Sequence, residues 1–345
     1  MSANQFNKIL ITGGAGFIGA NFIQYWLKTY PDAQVVNLDA LTYAGNLANL
    51  SSVANHPQYH FVEGNILDRE LVDQLVSEGV EAIVHFAAET HVDRSILTPA
   101  AFLETNILGT QVLLEAARKH RIKRFHHIST DEVFGSLPLD SAVQFSETTP
   151  YDPRSPYSAS KAGSDHLVRA YGETYELPYT ITNCSNNYGE FQHPEKFISL
   201  AITNLIEGKP VPVYGDGLNV RDWLYVQDHC RAIELVLQRG QLQQTYVVGG
   251  MKQDVSNLDV IKAIIELMGE DESKIKLVKD RLGHDRRYSV DWSKINQELG
   301  WEPTVTLAEG LQKTITWYQE NQAWWQPLKQ QSQEFFQTNY QTDDF

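Results

Sequence analysis

KILITGGAGFIG, residues 8–19, decides the fold. Lys8 to Thr12 is an apolar run that reads as a buried strand. Gly13-Gly14-Ala15-Gly16-Phe17-Ile18-Gly19 is a glycine turn, after which Phe22, Ile23, Trp26, Leu27 and Tyr30 recur at helical spacing. Strand, glycine turn and helix in that order let the backbone approach a pyrophosphate and aim the free N–H groups of a helix N-terminus at it. A glycine motif alone is also what a plain tight turn looks like. Here, however, a second strand, Val35 to Leu38, ends at Asp39, about twenty residues past the last glycine, where a carboxylate can bond the adenosine ribose hydroxyls. That carboxylate would repel a 2′-phosphate, so NAD is favoured over NADP.

Working outward, the alternation continues. A strand from Tyr59 to Val62, a helix from Asp68 to Ser77 and a strand from Ala82 to Ala87 lead to a helix that Thr98 caps and Pro99 opens, with Phe102, Leu103, Ile107, Leu113, Leu114 and Ala117 apolar. Repeated βα units predict an α/β fold of Rossmann type, a doubly wound parallel sheet whose ligands lie beyond the strands' carboxyl ends. Gly13, Asp39, Ala87 to Arg94 and Thr130 all fall at those ends. After a strand from Tyr179 to Asn183 the alternation weakens, and from about Gln192 the chain reads as a smaller, interleaved C-terminal substrate-binding region. The expected division is a dinucleotide-binding domain over 1–190, joined by parts of 220–250, a mainly substrate-binding domain over 191–328, and a tail over 329–345. The tail is rich in Gln yet carries Phe335, Phe336, Tyr340 and Phe345, which argues against simple disorder and suits packing on the body or on a partner.

Most of the inferred chemistry lies between Ile128 and Lys161. A buried strand ends in Ser129-Thr130-Asp131-Glu132, and a helix then begins with Tyr157-Ser158-Ala159-Ser160-Lys161. Residues four apart share a helix face, so Tyr157 and Lys161 can point into one cleft, where an ammonium lowers the phenol's pKa and makes it a base. Thr130 offers a hydroxyl to the same substrate oxygen. Asp131 and Glu132 can divide acid and base work if their surroundings push their pKa values apart, but both reach one substrate only if the backbone leaves strand geometry there. Read without context, YxxxK is a helix face and a carboxylate pair at a strand end is solvated.

Composition narrows the partners. A formal charge of −15 argues against nucleic acid or an anionic membrane as the main partner. Arginines in the loops Arg221-Asp222-Trp223 and Arg281 to Tyr288, with Arg286 and Arg287 adjacent, then suggest a local phosphate site, against a null of solvated loop charge. Cys184 and Cys230 lie far apart without metal-ligand spacing, which suits reduced, structural thiols in a cytoplasmic protein and predicts no metal. No signal-peptide pattern opens the sequence, and no apolar run is long enough to cross a bilayer.

With these residues assembled, the chain resembles the extended short-chain dehydrogenase/reductases, and within them the nucleotide-sugar 4,6-dehydratases, from about Lys8 to Leu328. The resemblance rests on Gly13 to Gly19, LDALTYAGN over 38–46, AAETHVDRSI over 87–96, STDEVFG over 129–135, Tyr157 to Lys161, Pro194-Glu195-Lys196, GDGLNVRDWLYVQDH over 215–229 and GHDRRY over 283–288. It implies that NAD is held by Gly13, Gly16, Phe17, Ile18, Gly19, Asp39, Thr42, Asn65, Ile66, Ala87, Tyr157 and Lys161. It implies a dTDP-glucose substrate contacted by Thr90, Thr130, Asn186, Glu195, Lys196, Tyr214, Arg221, Asn257, Arg281 and Tyr288. In the implied reaction Tyr157 takes the O4 proton as the C4 hydride leaves, with Thr130 holding O4 and Lys161 tuning the phenol. Glu132 then removes the C5 proton, and Asp131, kept protonated, releases water from C6. The family's helix packing implies a homodimer through the helices that begin near Pro99 and Tyr157. Asn65 stands where the family usually has Asp, Phe134 where it has Tyr, Glu190 where it has Pro, and Met251 to Asp254 does not keep its usual Asn-Glu. A dehydratase of a UDP- or CDP-hexose, a 4-epimerase or decarboxylase of the same fold, and a catalytically silent NAD-binding protein are the alternatives.

Overall fold

The structure is a computed structural model that describes residues 6–280 and 284–339. Arg281 and the aromatic residues Tyr340 and Phe345 lie outside the described residues, as do the side chains of Phe335 and Phe336. Seven strands form one parallel sheet: β1 (Lys8–Thr12), β2 (Gln34–Asp39), β3 (Tyr59–Glu63), β4 (Ala82–His85), β5 (Arg124–Thr130), β6 (Tyr179–Cys184) and, after three short strands, β10 (Gln244–Val248). Their order is β10-β6-β5-β4-β1-β2-β3. The order reverses between β1 and β4, which leaves a crevice at their carboxyl ends.

Both faces of this sheet are covered, and β1 shows why its sequence is unbroken in apolarity. Ile9 and Ile11 join one core with Phe22, Ile23 and Trp26 of the helix Phe17–Thr29 and Ile233 and Leu237 of the helix Val226–Arg239. Leu10 points the other way, into a core with Val72, Leu113, Leu114 and Val168 from the helices Arg69–Ser77, Thr110–His120 and Pro156–Tyr175. A parallel strand buried on both faces requires this kind of run.

Two expectations at the Pro99 helix change. Pro99 does open it, but the Thr98 hydroxyl donates to the Arg94 carbonyl at 3.1 Å and caps nothing. Nor is the helix continuous: Pro99–Leu103 passes into a π-helical stretch, Glu104–Gly109, before Thr110–His120 resumes. Strand β4 also stops two residues earlier than read, and Gly13 lies close to the chain beyond its end. A Cβ on Gly13 would lie 2.6 Å from the Ala87 Cα.

The smaller region contains β7 (Asn186–Tyr188) paired with β9 (Trp223–Tyr225), and β8 (Val211–Tyr214) paired with β11 (Ile275–Val278), all parallel. Its core joins Ile198, Ile202, Val213, Ile261, Ile264, Leu311 and Ile315 from the helices Phe197–Ile206, Asn257–Leu267 and Leu307–Glu320. A final helix, Gln322–Asn339, packs on it through Trp325 and buried Lys329, whose ammonium reaches Asn204 at 2.7 Å and Glu207 at 3.0 Å. No helix among the described residues is long and apolar enough to cross a membrane.

Candidate active site

Strand β5 ends at Thr130, and the chain turns at once into a single 3₁₀ turn, Asp131–Phe134. Thr130 caps this turn by accepting the Glu132 N–H at 3.2 Å. Gly135, at φ +87°, closes it where a Cβ would stand 2.6 Å from the Asp152 carbonyl. The backbone therefore leaves strand geometry at the two adjacent carboxyl groups, Asp131 and Glu132. Their surroundings differ: Asp131 is 1% exposed, whereas Glu132 lines the open cleft. Burial, with Glu132 and Asp222 beside it, pushes the Asp131 carboxyl well above the usual carboxylate range, against the pull of Arg221 and Thr130. A carboxyl so placed stays protonated and can serve as an acid.

The helix Pro156–Tyr175 begins with a complete cap. Ser155 accepts the Ser158 N–H at 3.0 Å, the Ser158 hydroxyl accepts the Ser155 N–H at 3.0 Å, and Pro156 takes the first position. Tyr157 and Lys161 both line the cleft one turn apart. The expected lowering of the Tyr157 pKa is not found. Burial, then Glu132, hold the phenol well above its ordinary value, and the Thr130 hydrogen bond opposes them. The Lys161 ammonium is turned to the Ile128 carbonyl at 2.8 Å, and burial lowers its own pKa.

At the other end of the same cleft, of about 320 Å³, stand Gly13, Gly16, Phe17, Ile18, Gly19, Asp39, Thr42, Asn65, Ile66 and Ala87. The helix cap is Gly16, which offers no side chain to the first-turn N–H groups, so these are available to an anion. Asp39 is mostly buried and accepts the Ala15 and Leu41 N–H groups at 2.8 and 2.9 Å, one on each oxygen. Each oxygen keeps a second lone pair for a ribose hydroxyl. This donor set fits a dinucleotide. Asn65 Oδ1 accepts the Leu67 N–H at 2.9 Å, so its side chain orders the turn after β3.

The residues expected from the sequence to contact substrate divide into two groups. Thr90, Thr130, Asn186, Glu195 and Lys196 line the cleft with the residues above. Arg221, Asn257 and Tyr288 lie in a second cluster built on the 219–221 segment. Asn257 N–H donates to Asn219 O at 2.8 Å, Tyr288 N–H to Val220 O at 3.1 Å, and the Arg221 guanidinium sits 4.3 Å from the Tyr288 ring centre. This cluster abuts the Thr130–Glu132 end of the cleft, since Arg221 acts on Asp131, and burial and then Glu132 raise the Tyr288 phenol. Tyr214 is placed against the His284 ring, outside the cleft lining. Arg286 and Arg287 do not form the open phosphate site read from the sequence. They pair with Asp216 at 3.0 Å and Asp254 at 2.5 Å.

A sequence model of the family described as GDP-mannose 4,6 dehydratase matches residues 10–314. The dTDP-glucose 4,6-dehydratase of Streptomyces niveus is 51% identical over 326 residues, which cover 93% of this chain and 96% of that one. The chain belongs to the dTDP-glucose 4,6-dehydratase family. The structure of the dTDP-glucose 4,6-dehydratase of Streptomyces venezuelae, crystallised with NAD bound, superposes with a TM-score of 0.90 at 49% identity, covering 93% of this chain and 99% of that one. The UDP-glucose 4-epimerase of Thermotoga maritima superposes at 0.85 with 30% identity, covering 91% and 99%. The fold thus serves another reaction as well, and within it the chemistry has to be argued from the site.

Several residues of this member of the dTDP-glucose 4,6-dehydratase family carry the site although the sequence did not single them out. Asn106, in the π-helical stretch, accepts the Glu89 N–H at 2.9 Å and donates to the Glu89 carbonyl at 3.0 Å and to Ser160 at 2.8 Å, tying the segment that follows β4 to the Tyr157 helix. Asp165, fully buried, accepts from Ser129 at 2.9 Å, Tyr151 at 2.7 Å and Asn183 at 3.2 Å. Its position four residues after Lys161 was the one available signal. Phe134 packs against Phe145 and Tyr151 with ring centres 5.3 Å apart in each pair, an apolar setting that suits the loss of the usual hydroxyl. Among the described residues no His, Cys, Asp and Glu side chains are grouped to hold a metal.

Proposed function

We propose that the chain dehydrates dTDP-glucose to dTDP-4-keto-6-deoxyglucose with NAD as a regenerated cofactor. The observation that carries this reading is the 3₁₀ turn at Thr130, which brings a buried acid, Asp131, and a cleft-lining carboxylate, Glu132, beside Tyr157 and Lys161. NAD held by the glycine turn and Asp39 would supply the acceptor for the C4 hydride and the donor for its return at C6. Thr130 holds O4 and Tyr157 takes its proton, with Lys161 and the helix N-terminus favouring the phenolate. The 4-ketone acidifies the C5 hydrogen, which Glu132 removes. Asp131 gives its proton to the C6 hydroxyl, water leaves, and a proton returns to C5 when hydride is restored at C6. Gly13, Gly16, Phe17, Ile18, Gly19, Asp39, Thr42, Asn65, Ile66 and Ala87 hold the cofactor. Thr90, Asn186, Glu195, Lys196, Tyr214, Arg221, Asn257, Arg281 and Tyr288 hold the substrate.

The working division is an NAD unit over 1–190 with parts of 220–250, a nucleotide-sugar unit over 191–328 and a tail over 329–345. The protein acts in the cytoplasm as a homodimer. Exposed Ile96, Leu97, Leu103 and Leu108 along the helices around Pro99 support that pairing. Sedimentation at micromolar concentration gives the dimer mass, and a monomer would overturn it.

Incubation with dTDP-glucose and, separately, UDP-glucose in deuterated water tests the reaction. Loss of water with one solvent deuteron at C5 and hydride moved from C4 to C6, faster with dTDP-glucose, is the expected result. Retention of the C6 hydroxyl in both sugars while NAD is bound would overturn it.

A further inference from the structure

The helix Gln322–Asn339 forms part of the cleft wall, where Trp324 and Leu328 stand near Asn49 and Phe191. Trp324 Nε1–H donates to Asn49 Oδ1 at 2.8 Å, and Asn49 Nδ2 donates to the Ala15 carbonyl at 2.9 Å. Ala15 is fully buried at the centre of the glycine turn, whose Gly13 and Gly16 line the cleft. Its carbonyl also accepts the Asn46 N–H at 3.0 Å, and its own N–H goes to Asp39. An indole nitrogen only donates, so Trp324 obliges Asn49 to present its oxygen to the ring and its amino group to Ala15. That amide, 2% exposed, has one orientation that satisfies both partners. A carbonyl of this turn swung into the cleft would set the negative end of a peptide dipole against a diphosphate, and the Trp324–Asn49 pair holds it back.

We propose that Trp324 is a positioning residue for the dinucleotide, fixing the Gly13–Gly19 turn through Asn49 so that NAD affinity depends on the C-terminal helix. This rests on the reading of the cleft as an NAD site. Trp324→Phe isolates the hydrogen bond, because a ring remains to pack on Phe191 and Trp317, whose centres lie 6.1 and 4.9 Å away. Trp325→Phe is the control, since Trp325 is fully buried in the same helix and its Nε1–H goes to the Tyr318 carbonyl at 2.8 Å, away from the cleft.

Calorimetric titration of the full-length protein, freed of nucleotide, with NAD gives the affinity, and thermal melting gives the stability. Loss of one buried hydrogen bond predicts a Kd raised about three- to tenfold in Trp324→Phe, with KM for the sugar nucleotide little changed at saturating NAD. Trp325→Phe should lower the melting temperature and leave the Kd at the wild-type value. Wild-type affinity in Trp324→Phe, or an equal loss in Trp325→Phe, would overturn the proposal while leaving the NAD reading intact. A wild-type protein that bound no NAD would overturn both.

Discussion

Asp131 and Glu132 are neighbours in sequence that differ in burial, and the proposed reaction gives them opposite tasks. Glu132→Gln should bind NAD and oxidise C4 but stall before water is lost, so that rapid mixing with dTDP-glucose gives NADH absorbance that persists without a 6-deoxy product. Normal turnover would remove Glu132 as the C5 base. Asp131→Asn should lower kcat by about 10² to 10⁴, the range for loss of a general acid. Its effect on stability has a definite sign. Burial raises the folded-state pKa of Asp131 above its unfolded value, so the native state holds an extra proton and loses stability as pH rises from the ordinary carboxylate range toward that raised pKa. The neutral Asn avoids this cost. The variant should therefore gain stability relative to wild type from pH 4 to pH 8 in urea unfolding, and a difference that was flat or fell with pH would contradict the assignment.

One turn of backbone, Asp131–Phe134, carries the proposed acid and the proposed base, and Gly135 allows it to close. Gly135→Ala places a Cβ at φ +87° against the Asp152 carbonyl, a conformation that costs a residue with a side chain about 1–3 kcal/mol. It should lower stability by that amount in urea unfolding. It should also lower kcat at least about tenfold, since a misplacement near one ångström is enough, while NAD affinity is kept because the glycine turn follows a different strand. This turn also marks how far the sequence could be read. The β1 unit was legible because the glycine turn and Asp39 stand at fixed spacings from an apolar strand, and the Tyr157 helix because Pro156 and the YxxxK spacing announce it. That a 3₁₀ turn takes over at Asp131, burying its carboxyl while Glu132 lines the cleft, was not legible, since regular strand geometry would have sent them to opposite faces. The π-helical stretch was equally silent: its apolar residues recur much as in an α-helix, and what sets Asn106 in place is its set of bonds to Glu89 and Ser160, both distant in sequence. The arginine loops misled because the carboxylates that claim Arg286 and Arg287 are 70 and 33 residues away.

Across the molecule, the sheet is made of apolar strands but carries buried imidazoles: His85 on β4 and His126 and His127 on β5, with His229 on the helix that covers β6. Three of them have partners that suit a neutral ring, while His127 faces Ser164 and the Asp165 carboxylate, each at 3.2 Å. Thr12 and Thr110 flank His85, Thr180 meets His126, and Asn187 Oδ1 accepts from His229 at 2.9 Å. Burial is the leading cause that lowers all four pKa values, to about 4 for His127 and about 3 for His229. A folded-state pKa below the unfolded value near 6.5 means that the unfolded chain binds more protons as the solution is acidified. The corresponding stability is present above pH 6.5 and is lost as pH falls toward the folded-state value. Buried carboxyls with raised pKa values, Asp131 and Asp222 among them, titrate with the opposite sign in part of this range, so the decisive measurement is a difference between two proteins. His229→Gln keeps a donor for Asn187 and cannot take up a proton. Between pH 6.5 and 4 its stability relative to wild type should rise by about 1.4 kcal/mol per pH unit of acidification, the slope of one proton. Parallel curves for the two proteins would mean that His229 is protonated in the fold. A buried ion beside Asn187, whose amide also lies in the cleft lining, would then have to be part of the site.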